Sequence, residues 1–131
     1  MKYHKSRHSS YLLHVHVVLI TKYRRKILGE LHRTRFSEIA NSVCSDFNAS
    51  LIECDGEADH VHLLVDYPPS VQLTKFINSL KAVTSRRLRN EFIGLRGAYN
   101  KPVLWSRAYF VGSCGGATLD VVKKYIQNQQ G

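Results

Sequence analysis

Between Tyr11 and Thr21 the chain reads Tyr-Leu-Leu-His-Val-His-Val-Val-Leu-Ile-Thr, an apolar and β-branched run that predicts a central strand. From Arg33 to Phe47 the period changes. Phe36, Ile39, Ala40, Val43, Cys44 and Phe47 recur at three and four residues, which predicts an amphipathic helix. Residues 49–57 predict a second strand, and Glu57-Ala58-Asp59 a short turn into a third, Asp59-His60-Val61-His62-Leu63-Leu64-Val65. So short a connection predicts an antiparallel hairpin. Pro68-Pro69 ends the third strand, and Ser70 is placed to cap a helix running to about Phe92 with Leu73, Phe76, Ile77, Leu80, Thr84 and Leu88 as its buried stripe. Residues 94–101 predict a loop and 103–111 the last strand. Gly112-Ser113-Cys114-Gly115-Gly116 predicts a flexible tether, and Thr118 caps a final helix that buries Leu119, Val122 and Ile126.

The order is strand, helix, strand, strand, helix, strand, helix. Its first six elements are the split βαβ pattern, which predicts an α+β, ferredoxin-like antiparallel sheet with a C-terminal helix appended. The first strand and the histidine strand should sit at the sheet centre, with helices on one face and the other open to a ligand or another subunit. At 131 residues the chain predicts one domain spanning 1–131.

Composition narrows the partners. Nineteen Lys and Arg against ten Asp and Glu give a net charge of +9, a surplus that suits nucleic acid. No apolar stretch reaches the roughly 18 residues of a membrane span, and no signal region follows the N-terminus, so a cytoplasmic location is expected. Three widely spaced cysteines without a CxxC argue against a disulfide framework and a zinc ribbon.

In a strand, His60 and His62 share one face, about 7 Å apart at Cα, so two imidazoles can converge on one divalent metal. The spacing alone is not specific, because His14-Val15-His16 repeats it. On the final helix Tyr125 and Gln129 stand four residues apart, so a phenol and a carboxamide can enter one site together. A neutral Tyr hydroxyl is a weak nucleophile, and it attacks a phosphodiester only where a metal makes the phosphate electrophilic and the proton is removed. Gln129 would complete a three-ligand set with His60 and His62. Packing is the alternative role for Tyr125. Lys22-Tyr23-Arg24-Arg25 suits phosphates and a stacked base, or else forms a solvated loop. Lys75, Arg86 and Arg89 make a basic ridge on the second helix, suited to a nucleic-acid backbone or simply to solvent.

Together the Thr21-Lys22-Tyr23-Arg24-Arg25 block, His60-Val61-His62-Leu63-Leu64 followed by Pro68-Pro69, Leu104-Trp105-Ser106 to Tyr109-Phe110-Val111-Gly112, and Tyr125-Ile126-x-Asn128-Gln129 resemble the HUH single-tyrosine transposases of the IS200/IS605 group. The resemblance implies Mg²⁺ or Mn²⁺ bound by His60, His62 and Gln129. It implies Tyr125 as a nucleophile forming a covalent 5′-phosphotyrosine with single-stranded DNA, recognition of hairpins near element ends, and a homodimer with composite active sites. It assigns no role to His16. The chain has no P-loop, in keeping with a reaction that needs no ATP. It also shows no acidic cluster of the kind a metal-carboxylate transposase needs. Two other readings fit part of the pattern: a non-catalytic ferredoxin-like module binding single strands or RNA, and a replication-type HUH nicking endonuclease.

Overall fold

A computed structural model describes residues 4–5, 10–11, 13–113 and 127–128. Its strands in chain order are β1 (His4–Lys5), β2 (Ser10–Tyr11), β3 (Leu13–Thr21), β4 (Ser50–Glu57), β5 (His60–Tyr67) and β6 (Trp105–Ser113). The helices are α1 (Glu30–Asp46), α2 (Leu73–Glu91) and the short α3 (Ile93–Arg96). β1 pairs with β2, while the other four strands form one sheet in the order β4-β5-β3-β6 with every neighbour antiparallel. β5 lies between β4 and β3, which α1 connects; β3 lies between β5 and β6, which α2 connects. These interleaved units are the split βαβ arrangement, so the α+β, ferredoxin-like expectation holds with β3 and β5 at the centre.

Alternation along the central strands divides the sheet into two chemically different faces. Val15, Val17 and Leu19 of β3 and Val61, Leu63 and Val65 of β5 are at most 2% exposed and form one core with Phe36, Ile39, Ala40, Val43, Phe76, Ile77, Leu80 and Leu88 of the helices. Each Val, Leu, Ile or Phe side chain among them contributes about 1.5–3 kcal/mol by leaving water. The fully buried hydroxyl of α2 is satisfied: Thr84 Oγ1 donates to the Leu80 carbonyl at 2.6 Å and accepts from Trp105 Nε1 at 2.9 Å. The opposite face is less open than expected. Its central Val18 and Ile20 are 0% exposed, so the middle of that face is covered within the chain.

Several boundaries differ from the sequence expectation for identifiable reasons. α1 begins at Glu30 because the Gly29 N–H donates to His32 Nδ1 at 2.9 Å, a polar cap that apolar periodicity does not register. Ser70 does not cap α2. It belongs to a tight turn closed by Val71 N–H to the Pro68 carbonyl at 3.0 Å, and Gln72 precedes the helix without a side-chain cap. The expected loop after α2 contains α3, which buries Leu95. β6 continues through Gly112 and Ser113, opposite His16 and Val15, so two residues of the expected tether are strand. Cys114 to Gly116, the Thr118 cap, Tyr125 and Gln129 lie outside the described residues.

Gly56 sits where only hydrogen fits. A Cβ there would lie 2.4 Å from the His60 carbonyl oxygen and 3.0 Å from Val61 Cα, both backbone atoms that cannot rotate away. Gly56→Ala should therefore cost about 1–3 kcal/mol, the range for forced overpacking, and lower the melting temperature by several degrees. Calorimetry checks this, with Gly94→Ala as the control because a Cβ at Gly94 meets nothing within 4 Å.

Candidate functional site

With Val61, Leu63 and Val65 in the core, His60 and His62 face the other way, and the register sets their neighbours. His60 stands opposite Ile20 of β3 and Glu57 of β4; His62 stands opposite Val18 and Asp55. Residues directly opposite on one face are within side-chain reach, so β4 presents carboxylates to both histidines. A register irregularity between Leu51 and Glu53 makes this possible. It leaves exposed Ile52 unpaired, and Leu51 then pairs across the core face while Glu53, Asp55 and Glu57 pair across the histidine face. No acidic cluster was expected from the sequence. The fold assembles a row of three, and its signal was the period-two spacing of 53, 55 and 57.

The turn before β5 holds the first histidine. His60 Nδ1 donates to Asp59 Oδ1 at 2.9 Å, and Asp59 Oδ2 receives the Arg24 guanidinium at 3.3 Å. The Asp59 carbonyl accepts from Thr21 N–H at 3.0 Å, which ties this turn to the end of β3. Burial alone would raise the Asp59 carboxyl, but the hydrogen bond and charge of His60 and Arg24 outweigh it and hold the group below the usual carboxylate range. Asp59 therefore remains an acceptor, and the Nδ1 proton is committed. The other ring nitrogen, Nε2, faces Glu57, whose Oε2 lies 3.7 Å away, beyond hydrogen-bond reach. A ring nitrogen facing a carboxylate is an environment that favours a cation, and a carboxylate behind the other nitrogen is the usual support of a metal-binding imidazole.

The second histidine has a partner that sequence reasoning left without a role. His16 Nδ1 and His62 Nε2 lie 2.8 Å apart with their rings inclined by only 14°. That separation is below the roughly 3.5–4.0 Å of stacked ring atoms, so the two nitrogens meet end-on at hydrogen-bond distance. The register explains the contact, since His16 is the diagonal neighbour of His62, one pair beyond Val18. His14 is opposite Asp66, a further two residues along, so the repeated histidine motif divides into one residue at the site and one away from it. Burial first, and then His16, push His62 below its ordinary value of 6.5, with Glu53 and Asp55 opposing in part.

A cavity of about 400 Å³ opens beside His60, lined by Arg24, Lys26, Glu57, Ala58, Asp59 and Gln127. Gln127 is helical, and its carbonyl accepts from Arg24 Nη1 at 3.0 Å. Arg24 thus links Asp59 to a C-terminal residue that is two positions from both Tyr125 and Gln129, themselves outside the described residues. Arg24 is in this way separated from its expected companions. Lys22, Tyr23 and Arg25 gather around Tyr99 on the other side of the same turn. On α2, Lys75 and Arg86 are exposed and Arg89 bonds Ser85 Oγ at 3.1 Å; none of the three lines the cavity. The thiols of Cys44 and Cys54 are pushed up to about 12 and about 11, chiefly by burial, so neither is a nucleophile at neutral pH.

Residues 9–129 match the family described as Transposase IS200 like. The chain belongs to the IS200-like transposase family. It is 30% identical over 122 residues to the transposase for insertion sequence element IS200 of Salmonella typhimurium, covering 93% of this chain and 80% of that protein. It is 26% identical over 125 residues to the ISDra2 transposase TnpA of Deinococcus radiodurans, covering 95% and 89%. A crystal structure of a Deinococcus radiodurans r1 protein assigned as a transposase superposes with a TM-score of 0.88 at 28% identity, covering 99% of this chain and 98% of that one. A REP-associated tyrosine transposase bound to a REP hairpin shares the fold, with a TM-score of 0.57 at 11% identity over 93% and 68% of the two chains. This transposase has no helix among its described residues long and apolar enough to cross a membrane.

The depressed His62 value has a directional consequence. The unfolded chain takes up this proton more readily than the folded one, so the contribution to stability is complete above pH 6.5 and is lost as pH falls below it. Asp59 acts in a separate window, stabilising above its ordinary 3.8 and losing that contribution below. Melting temperature should fall from pH 6.5 downward, and His62→Gln should make that part of the profile shallower, with burial of His32 accounting for a remainder, while leaving the acid limb below 3.8 in place.

Proposed function

We propose that this transposase cleaves and rejoins single-stranded DNA at insertion-sequence ends, with Tyr125 as nucleophile and Mg²⁺ or Mn²⁺ held by His60, His62 and Gln129. The observation that carries the reading is the Arg24 bridge. One guanidinium joins the Asp59 that orients His60 to the carbonyl of Gln127, in the middle of the segment bearing Tyr125 and Gln129. When bound, the metal ion supplies Lewis-acid polarisation of the scissile phosphate. His60 fits such an ion because Asp59 fixes its Nδ1 proton, and the carboxylate row of β4 makes the surroundings favourable to a cation.

Tyr125 gives up its phenolic proton and its oxygen attacks phosphorus; the bond to the 3′ oxygen breaks, leaving the 5′ phosphate on Tyr125 and a free 3′-OH. Because the phosphotyrosine conserves the phosphodiester's energy, a 3′-OH from another strand can attack it, release Tyr125 and reseal the DNA without ATP. The surplus of +9 supports binding of the polyanion, and the hairpin held by the REP-associated relative supports hairpin recognition at the element ends. A homodimer is part of this reading. The Arg24 to Gln127 contact, within one chain, supports docking of the C-terminal segment on its own subunit in the state described.

With single-stranded element-end DNA and Mg²⁺ or Mn²⁺, the wild type should form a protein–DNA adduct that survives a denaturing gel; Tyr125→Phe or excess EDTA should abolish it. An undiminished adduct from Tyr125→Phe would move the nucleophile elsewhere. His60→Ala and His62→Ala should abolish cleavage yet retain hairpin binding in a mobility-shift assay, because backbone contacts rest on the basic surface. His16→Ala should slow cleavage by about 10- to 100-fold, the range for residues behind metal ligands, and His14→Ala far less. Mixing a His60→Ala/His62→Ala subunit with a Tyr125→Phe subunit tests the assembly. Restored cleavage means sites composed across the dimer, and inactivity of proven heterodimers means that each subunit completes its own.

A further inference from the structure

The turn that separates Arg24 from its neighbours also builds a second site, with chemistry opposite to that of the His60 cavity. Tyr23 and Arg24 both adopt left-handed backbone, at φ of 60° and 54°, a conformation that residues with a Cβ adopt only at a cost. The consequence is a reversal of direction. Arg24 turns to Asp59, and Tyr23 turns out to solvent on the other side, where it is 59% exposed. Tyr99 stands next to it, ring centroids 6.3 Å apart, with its hydroxyl fixed by donating to the Lys22 carbonyl at 2.6 Å. Arg25 lies 5.4 Å from the Tyr23 ring and 4.8 Å from the Tyr99 ring, and its guanidinium is tethered to the Ala98 carbonyl.

These groups border a groove of about 480 Å³ that Lys101 and Arg107 complete, with Trp105 at its base. Arg107 is exposed because β6 breaks register against β3 between the Leu19–Tyr109 and Thr21–Trp105 pairs, which turns it out of the ladder. No acidic side chain occurs among the described residues that line the groove, so its cations are not neutralised there. Lys81, whose Nζ donates to the Arg107 carbonyl at 3.2 Å, registers the same field: burial, and then Arg107 and Lys22, depress its pKa.

We infer that this groove is a nucleotide-stacking site for single-stranded DNA, in which one unpaired base lies on the exposed Tyr23 ring while its phosphates lie on Lys22, Lys101 and Arg107. Exposed aromatic faces among cations take bases of any sequence, since every base has a π-face. Position favours the same ligand. Tyr23 and Arg25 line this groove while Arg24 and Lys26 line the His60 cavity, so alternate residues of one turn border both sites. A strand with its scissile phosphate at His60 would lie beside the same turn. The inference deepens the proposed function and rests on its single-stranded substrate.

The test uses a fluorescent 12-nucleotide oligothymidylate and an abasic oligomer of the same length, which keeps every phosphate and removes every base, with affinities measured by anisotropy. The full-length wild type should bind the oligothymidylate about 5- to 150-fold more tightly than the abasic strand, the span of one stacked base. Tyr23→Ala should abolish that ratio without weakening abasic binding, and Tyr23→Phe should preserve it. Lys101→Ala and Arg107→Ala should weaken both strands alike and reduce the salt dependence by about one ion each. Equal wild-type affinities, or a Tyr23→Ala loss shared by both strands, would overturn the groove. The Tyr125 adduct is read separately. An adduct without Tyr23-dependent discrimination sinks only this inference, whereas discrimination without an adduct leaves the groove standing and sinks the proposed chemistry.

Discussion

The register of β5 between β3 and β4 is the constraint on which the site depends. Side chains on a strand alternate with period two, so a slip of one residue would turn His60 and His62 into the helix-packed core and move Val61, Leu63 and Val65 to the other face. The helices prevent it. Val61 and Val65 are 1% and 0% exposed within a continuous apolar core, and replacing them there by two imidazoles would cost several kcal/mol, a large fraction of a domain's net stability. Hydrophobic packing on one face thereby fixes the imidazoles on the other, and no polar interaction at the site is needed to choose the face.

Polar interactions then set orientation within that frame. Asp59 is the joint. Its carbonyl holds the end of β3, one carboxylate oxygen takes the His60 proton and the other takes Arg24, which in turn reaches Gln127. At 7% exposure this carboxylate is shielded enough for its hydrogen bonds to be stronger than surface ones, and it carries enough donors to stay ionised. His62 is supported differently, by another imidazole and a row of acids, so the two histidines of one motif occupy unlike environments.

The two cavities flanking residues 22–25 differ in chemistry. The His60 side carries Glu57 and Asp59 and suits a cation; the Tyr23 side carries lysine, arginine and tyrosine and suits a nucleotide. Consecutive left-handed residues separate them, which is why a run of like charges in the sequence does not act as one patch. Strain of this kind persists only where surrounding contacts hold it, here the Thr21 hydroxyl to the Arg25 carbonyl at 2.7 Å and Tyr99 to the Lys22 carbonyl.

Period and punctuation in the sequence determined the order of the four main strands and two long helices, the antiparallel hairpin, the central place of β3 and β5, and the shared face of His60 and His62, because each follows from local rules of side-chain direction and turn length; the β1–β2 pair and α3 were not legible in this way. The stripe from Phe36 to Cys44 and that from Phe76 to Leu88 were legible for the same reason. Contacts between residues distant in the chain were not. His16 on His62 is 46 residues away and depends on a diagonal between two strands, Arg24 on Asp59 depends on left-handed backbone that no residue type there announces, and Tyr99 joins Tyr23 from across the fold. The acidic row on β4 was half legible, since its spacing is in the sequence but an irregularity at Ile52 decides which face it meets. Only tertiary structure decides such pairings, because register and backbone reversal are set by the packing of the whole sheet rather than by the residues they bring together.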